Sequence, residues 1–186
     1  MAKRLLIIGN GFDIDLGLKT RYSDFSKSNN WKTLMKDTYS FETDLLGVLL
    51  KAKEKDAWFD IEKTMNEYVR SIKPHDIVDN NINKDKANFE KVSDALSNYL
   101  KEEQENRILN EDSYAAQVLR MIVEVGGFEI YTFNYTNLEN IANSCDVKID
   151  SSKITYVHGS LENDSIILGI LTDPDNQIYE LSLIHI

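Results

Sequence analysis

Short apolar runs and longer amphipathic segments divide the chain into predicted strands and helices. Four short runs bounded by turn residues predict β-strands, at residues 5–8, 129–133, 153–157 and 165–170. Four longer segments repeat their apolar positions with helical spacing and predict helices, at residues 41–55, 58–72, 89–107 and 113–125. Residues 80–86 are almost entirely polar, which predicts a loop.

The order of these elements predicts an α/β fold. A strand, a long helical block and a closing β-α-β-β arrangement favour a mainly parallel, Rossmann-like sheet with a large helical insertion between the first and second strands. Residues 5–8 are apolar without interruption, which predicts a buried strand. We expect a single α/β domain over residues 1–180. Its insertion, about residues 26–125, either covers one face of the sheet or forms a lid beside the first turn.

Composition narrows the classes of partner. The chain has 186 residues, 31 acidic against 21 basic, and a net charge of −10. Such a surface repels phosphate backbones, so we do not expect nucleic-acid binding. Cys145 is the single cysteine, which excludes an intramolecular disulfide and a cysteine-rich zinc site and fits a reducing cytoplasm. The sequence contains neither a signal peptide nor a membrane-spanning run, so we expect a cytoplasmic protein, and an oligomer stays open.

The last six residues have a separate origin in our interpretation. Residues 181–186 are the in-frame translation of CTG TCT CTT ATA CAC ATC, the end sequence of a transposon adapter used in sequencing libraries. We interpret them as an artefact of assembly and expect the natural protein to be longer. His185 is therefore left out of the functional reasoning.

The first predicted strand runs into a glycine-containing turn that suits a phosphate group. Gly9-Asn10-Gly11 follows the strand directly and precedes a predicted helix start. In nucleotide-binding α/β folds the free N–H groups of such a turn face an anion. The strict dinucleotide fingerprint fails, because its third glycine would fall at Ile14. The alternative is a tight strand-to-helix turn that binds nothing. Nearby, Asp13 is close enough to contact a ribose or to cap the helix, and Thr20 adds a polar side chain.

Two later strands also end in polar residues. Asn134 follows the second strand, where its amide could hold a ribose hydroxyl or a carboxamide, or could simply form the turn. His158 follows the third strand, where it could act as a general base or be a surface or core histidine. His75, after Pro74, is assigned to a loop. The histidines and the single cysteine show no metal-ligand spacing, so we expect no metal site. The chain also lacks a Gly-x-Ser-x-Gly elbow, which argues against a Ser-His-Asp hydrolase, and it lacks a P-loop.

These motifs together resemble the AbiH family of bacteriophage abortive-infection proteins. The resemblance rests on residues 7–13 and 17–25, on residues 58–62, and on Phe133-Asn134-Tyr135-Thr136 and Val157-His158-Gly159, in the order that the family shows. It implies a role in antiviral defence, in which infected cells stop growing or die, and a phage-derived trigger.

The order Gly-x-Gly, Thr-x-Asn, His-Gly-Ser is also similar to sirtuins and to sirtuin-like NAD-cleaving domains. The likeness implies that Gly9, Asn10 and Gly11 hold NAD, that Asn134 lies by the nicotinamide ribose and that His158 is the base. The neighbouring residues assigned to the same ligand are Phe12, Asp13, Thr20, Tyr135 and Gly159.

The sequence departs from the sirtuin pattern at several positions, and these differences limit the reactions that we expect. This chain has Gly-Asn-Gly for Gly-Ala-Gly, and Thr136 where sirtuins have an aspartate two residues after the asparagine. The zinc-binding cysteines are absent, which argues against protein deacetylation. NAD hydrolysis at the nicotinamide–ribose bond, without a metal, is the hypothesis. The alternatives are a nucleotide-binding sensor or partner module that does not cleave its ligand, and a nuclease, against which the acidic charge argues.

Overall fold

The protein is a mixture of helices and strands. The computed structural model describes residues 4–39, 43–55, 59–72, 79–163 and 165–168. The strands are β1 (Arg4–Ile8), β2 (Phe128–Thr132), β3 (Ile154–Tyr156), β4 (Gly159–Ser160) and β5 (Ser165–Ile166). The helices are α1 (Asn10–Asp15), α2 (Tyr22–Phe25), α3 (Asn29–Leu34), α4 (Leu45–Lys55), α5 (Ile61–Ser71), α6 (Asp79–Asn106), α7 (Tyr114–Val125) and α8 (Leu138–Ser144).

Three parallel strands form the main sheet, in the order β1-β2-β3. Ile8 pairs with Thr132, and Thr132 pairs with Tyr156, so the three strands end at the same level. The α/β prediction, the first three strands and the helices between β1 and β2 are therefore confirmed. The fourth predicted strand is shortened to β5, which pairs antiparallel with β4 in a separate sheet; residues 169–170 lie outside the described residues. The Rossmann-like topology stays a prediction.

The main sheet is buried on one face. Ile8 and Ile130 belong to a hydrophobic core with Leu119 of α7 and Ile141 of α8. On the opposite face the side chain of Ile7 is 63% exposed. The prediction that the first strand is fully buried is therefore wrong for this face, because alternate residues of a strand point to opposite sides of the sheet.

Two compact units divide the chain. The first comprises Met1–Arg21 and Ser97–Ile167 and contains both sheets, and the second comprises Tyr22–Leu96 and Leu168–Ile186. Aromatic rings pack edge to face in the second unit, where the ring centroid of Trp31 lies 5.5 Å from Phe25 and 5.2 Å from Phe59. The single-domain prediction and the limits of its insertion stay predictions.

Helix α6 corrects the loop predicted at residues 80–86, all of which are helical. The polar residues on this stretch bond to neighbouring helices of the second unit. Asp85 is buried and accepts hydrogen bonds from the Leu45 N–H and the Tyr68 hydroxyl, and Lys84 forms an ion pair with Asp44. Tertiary hydrogen bonds thus stabilise a helix that its apolar periodicity does not reveal. The predicted helices 41–55 and 58–72 appear as α4 and α5, and residues 41, 42 and 58 lie outside the described residues.

Ser113 caps the N-terminus of helix α7. The Ser113 side chain accepts a hydrogen bond from the Ala116 N–H at 3.1 Å and caps the helix. We expect Ser113→Ala to lower the free energy of unfolding by about 1 kcal/mol, because a helix donor loses its partner. Urea unfolding is the measurement. Ser93→Ala, inside α6 and away from both ends of that helix, is the matched control and should not lower stability. An equal loss in both variants would contradict the assignment.

Candidate functional site

The loops that follow β1, β2 and β3 meet at the carboxyl edge of the main sheet. The Phe133 N–H donates to the Ile8 carbonyl at 2.9 Å, and the Val157 N–H donates to the Thr132 carbonyl at the same distance. These bonds extend the ladder one residue past each strand. The carboxyl edge is where open α/β sheets bind ligands. The three segments singled out in the sequence therefore lie together.

The glycine turn begins helix α1. Gly9 is the N-cap residue, with φ −127° and ψ −179°, and no side chain caps the helix. Neither Gly9 nor Gly11 has a positive φ, and a Cβ placed on either would meet no atom of the described residues within 4 Å. Neither backbone conformation nor packing in this structure explains why these two residues are glycines. The space beside them is open to a ligand.

Three predicted ligand residues near the turn are engaged within the protein. The Thr20 hydroxyl donates to the Asn10 side-chain oxygen, and the Asn10 amide donates to the Thr20 carbonyl at 3.3 Å. Both residues thereby fasten the segment after α1 to the turn. Phe12 is partly buried and packs against the hydrophobic core.

Asp13 lies at the centre of a buried hydrogen-bond network. Its side chain is 2% exposed and accepts one hydrogen bond from the Asn134 amide and one from the Thr136 hydroxyl, each at 2.8 Å. Burial raises the pKa of this carboxyl from 3.8 to about 6, although both hydrogen bonds lower it. Asp13 does not cap α1, so of the two sequence hypotheses for this residue the capping role is wrong.

The side-chain amide of Asn134 is held in one orientation. Besides the bond to Asp13, the amide nitrogen donates to the Gly9 carbonyl at 3.1 Å. A carbonyl only accepts, so the nitrogen must face Gly9. Both amide hydrogens are then used. Within the described part of the chain, nothing donates to the Asn134 side-chain oxygen.

His158 is half-buried and lies among aromatic rings. Its ring centroid is 5.5 Å from that of Phe133 and 6.4 Å from that of Tyr135. Gly159 follows with φ 75°, a conformation that favours glycine. The Tyr135 hydroxyl donates to the Ile167 carbonyl at 3.1 Å. Across the described residues, the His158 ring has no hydrogen bond to an orienting carboxylate.

Two residues of this edge were not assigned to the site from the sequence. Thr136 is buried and donates to Asp13, and its position two residues after Asn134 was the available signal. Ser160 is 1% exposed, and its buried hydroxyl oxygen has no hydrogen-bond partner among the described residues. A buried hydroxyl of this kind is uncommon in a folded protein. Its place in the His-Gly-Ser motif was the available sequence signal.

An open groove of about 420 Å³ lies at the other end of β2. Its walls include Gly126, Phe128, Lys148 and Asp150. It contains none of the predicted ligand residues. We therefore place the candidate site at the carboxyl edge, where the polar side chains converge.

Comparison with protein families decides the assignment. The sequence model of the family described as Bacteriophage abortive infection AbiH matches residues 5–184. The chain belongs to the AbiH family. Membership of this family implies a role in bacteriophage abortive infection. Searches of curated proteins and of solved structures gave no match.

Two further findings concern the described part of this AbiH-family chain. It contains no group of three or more histidine, cysteine, aspartate or glutamate side chains arranged to hold a metal ion. Every helix there is too short or too polar to cross a bilayer.

The buried carboxyl of Asp13 predicts how pH acts on stability. A carboxyl with a raised pKa stabilises the fold while it is protonated, and that contribution is lost as pH rises through about 6. Relative to Asp13→Asn, we expect the free energy of unfolding of the AbiH-family protein to fall by about 2 kcal/mol between pH 4 and pH 7. Urea unfolding of both proteins at each pH measures this difference. A difference independent of pH would contradict the raised pKa.

Proposed function

We propose that this AbiH-family protein binds NAD at the carboxyl edge of its sheet and hydrolyses the nicotinamide–ribose bond during abortive infection. The observation that carries the proposal is the open space beside Gly9 and Gly11, directly next to the Asn134 amide. Glycines that the fold itself does not require are explained by the close approach of a ligand. The pyrophosphate of NAD would lie against this turn.

The proposed reaction assigns a task to two side chains. The oxygen of water attacks the ribose carbon that carries nicotinamide, and the carbon–nitrogen bond breaks. Nicotinamide leaves with the bonding electron pair, and the other product is ADP-ribose. Asn134 positions the ribose or the attacking water through its side-chain oxygen. His158 accepts the proton that the water loses.

The position of Asp13 supports the likeness to NAD-cleaving sites. In this chain Thr136 stands where the sirtuin pattern has an aspartate. Asp13 brings a carboxyl group to the same place, since it bonds to both Thr136 and Asn134. An acidic group beside the asparagine is thus supplied from the first turn.

A second candidate function is a nucleotide-binding sensor that does not cleave its ligand. The environment of His158 favours it, because in the described residues no carboxylate orients the imidazole. A general base is ordinarily held in place by such a partner. The sensor would use the same turn and the same Asn134.

Infection of cells that express the chain tests the proposed function. We expect plaque formation by a sensitive phage to fall and cellular NAD to be depleted, and both effects to disappear with Asn134→Ala. Asn143→Ala, at an exposed position of α8, is the matched control and should behave as wild type. Protection without NAD depletion would select the sensor. Protection that persists in Asn134→Ala would contradict the site.

A further inference from the structure

The side chain of Asn134 has only one group left for a ligand. The amide nitrogen donates one hydrogen bond to the Gly9 carbonyl, at 3.1 Å, and another to the Asp13 carboxyl, at 2.8 Å. The remaining polar atom is the side-chain oxygen, which accepts hydrogen bonds and cannot donate. Asn134 therefore recognises a donor. A phosphate oxygen or a carboxylate does not fit this position.

Asp13 is placed to fix this orientation. Its second oxygen accepts from the Thr136 hydroxyl at 2.8 Å, so the carboxyl group is itself held from two sides. With 2% of its surface exposed, Asp13 is poorly placed to contact a ligand directly. Its influence on a ligand would pass through Asn134.

We propose that Asp13 is the positioning residue of the site, holding the Asn134 amide so that its oxygen accepts a hydrogen bond from a ribose hydroxyl of the bound nucleotide. This inference rests on the proposed nucleotide binding. It assigns Asp13 a role different from the direct cofactor contact expected from the sequence. It also specifies the ligand chemistry, because a sugar lacking that hydroxyl leaves the oxygen of Asn134 without a donor.

Calorimetric titration with NAD tests the positioning role. We expect Asp13→Asn and Asn134→Ala each to weaken NAD binding about 10-fold, and the double variant to bind no more weakly than Asn134→Ala alone. A residue that acts through Asn134 has no effect once that side chain is removed. If the two losses multiply, Asp13 acts independently of Asn134 and the inference is overturned.

Monodeoxy forms of NAD identify the ribose hydroxyl that donates a hydrogen bond to the Asn134 side-chain oxygen. The probes are the 2′-deoxy and 3′-deoxy forms at each of the two riboses. One of them should bind wild type about 10-fold more weakly than NAD, and this penalty should vanish in Asn134→Ala. If all four forms bind wild type as tightly as NAD does, the hydroxyl contact is refuted.

Nuclear magnetic resonance of the unliganded protein separates this inference from the proposed function. If both amide hydrogens of Asn134 are held in hydrogen bonds, they exchange slowly with solvent. Thr136→Val, which removes a hydroxyl without changing the shape of the side chain, should speed that exchange. Fast exchange in wild type would overturn the positioning of Asn134. Slow exchange without NAD binding would instead refute NAD as the ligand and leave the positioning intact.

Discussion

We expect His158→Ala to lower the rate of nicotinamide release from NAD by at least about 100-fold, because in the proposed reaction the attacking water would lose the group that accepts its proton. The affinity for NAD should change much less, since the glycine turn and Asn134 remain. The free energy of unfolding should also be kept, because the His158 ring makes contacts but no hydrogen bond among the described residues. Rates under saturating NAD and denaturant unfolding are the measurements.

His75→Ala is the matched control for this substitution. His75 lies outside the described residues and was assigned to a loop from the sequence. Its replacement should leave nicotinamide release at the wild-type rate. Unchanged release in His158→Ala would remove this residue from the mechanism. An equal loss of rate in both variants would show that the effect is not specific to the site.

Gly11→Ala separates stability from ligand binding. An alanine Cβ at this position meets no neighbouring atom, and alanine is the better helix former, so the free energy of unfolding should stay the same or rise by about 0.5 kcal/mol. The same methyl group occupies the space proposed for the pyrophosphate. NAD affinity should therefore fall at least about 10-fold. Calorimetric titration and thermal unfolding measure the two effects.

Gly17→Ala is expected to show the opposite pattern. Gly17 has φ 94°, a conformation that an alanine adopts only with strain. This substitution should lower the free energy of unfolding by about 1 kcal/mol or more and leave NAD affinity unchanged. A Gly11→Ala protein that binds NAD as tightly as wild type would show that the open space is not the ligand site.

The convergence of the three loops could be predicted from the sequence. The carboxyl ends of parallel strands share one edge of a sheet, so Gly9, Asn134 and His158 were expected near one another once the strands were recognised. The residues immediately around each of them in the sequence are enough to show that it lies in a turn or at the end of a strand. The helix cap at Asn137, whose side chain accepts a hydrogen bond from the Asn140 N–H, is similarly local.

The hydrogen bond between Asp13 and Asn134 could not be predicted from local sequence. It depends on how the first turn of α1 lies against the loop after β2, and residues 13 and 134 are far apart in sequence. Sequence reasoning offered Asp13 a helix cap or a ribose contact, both of which are local choices. The buried position that raises its pKa follows from tertiary packing alone.

The predictions of a loop over residues 80–86 and of a fully buried first strand, which contains Ile7, were wrong for a different reason. Both predictions used apolar pattern as a measure of burial. Polar side chains of α6 are satisfied by other helices of the second unit, and one face of the main sheet is exposed despite its apolar residues. The pattern of apolar residues alone does not reveal which surfaces of a helix or strand are covered by other elements.

Nicotinamide release from NAD by the purified chain tests whether this AbiH-family protein hydrolyses NAD at the site that contains Asn134. Wild type, Asn134→Ala and the surface control Asn143→Ala are incubated with NAD, and released nicotinamide is measured by chromatography. We expect release by wild type and by Asn143→Ala, and none above background by Asn134→Ala. Equal release by all three proteins, or no release by wild type, would contradict NAD hydrolysis at this site.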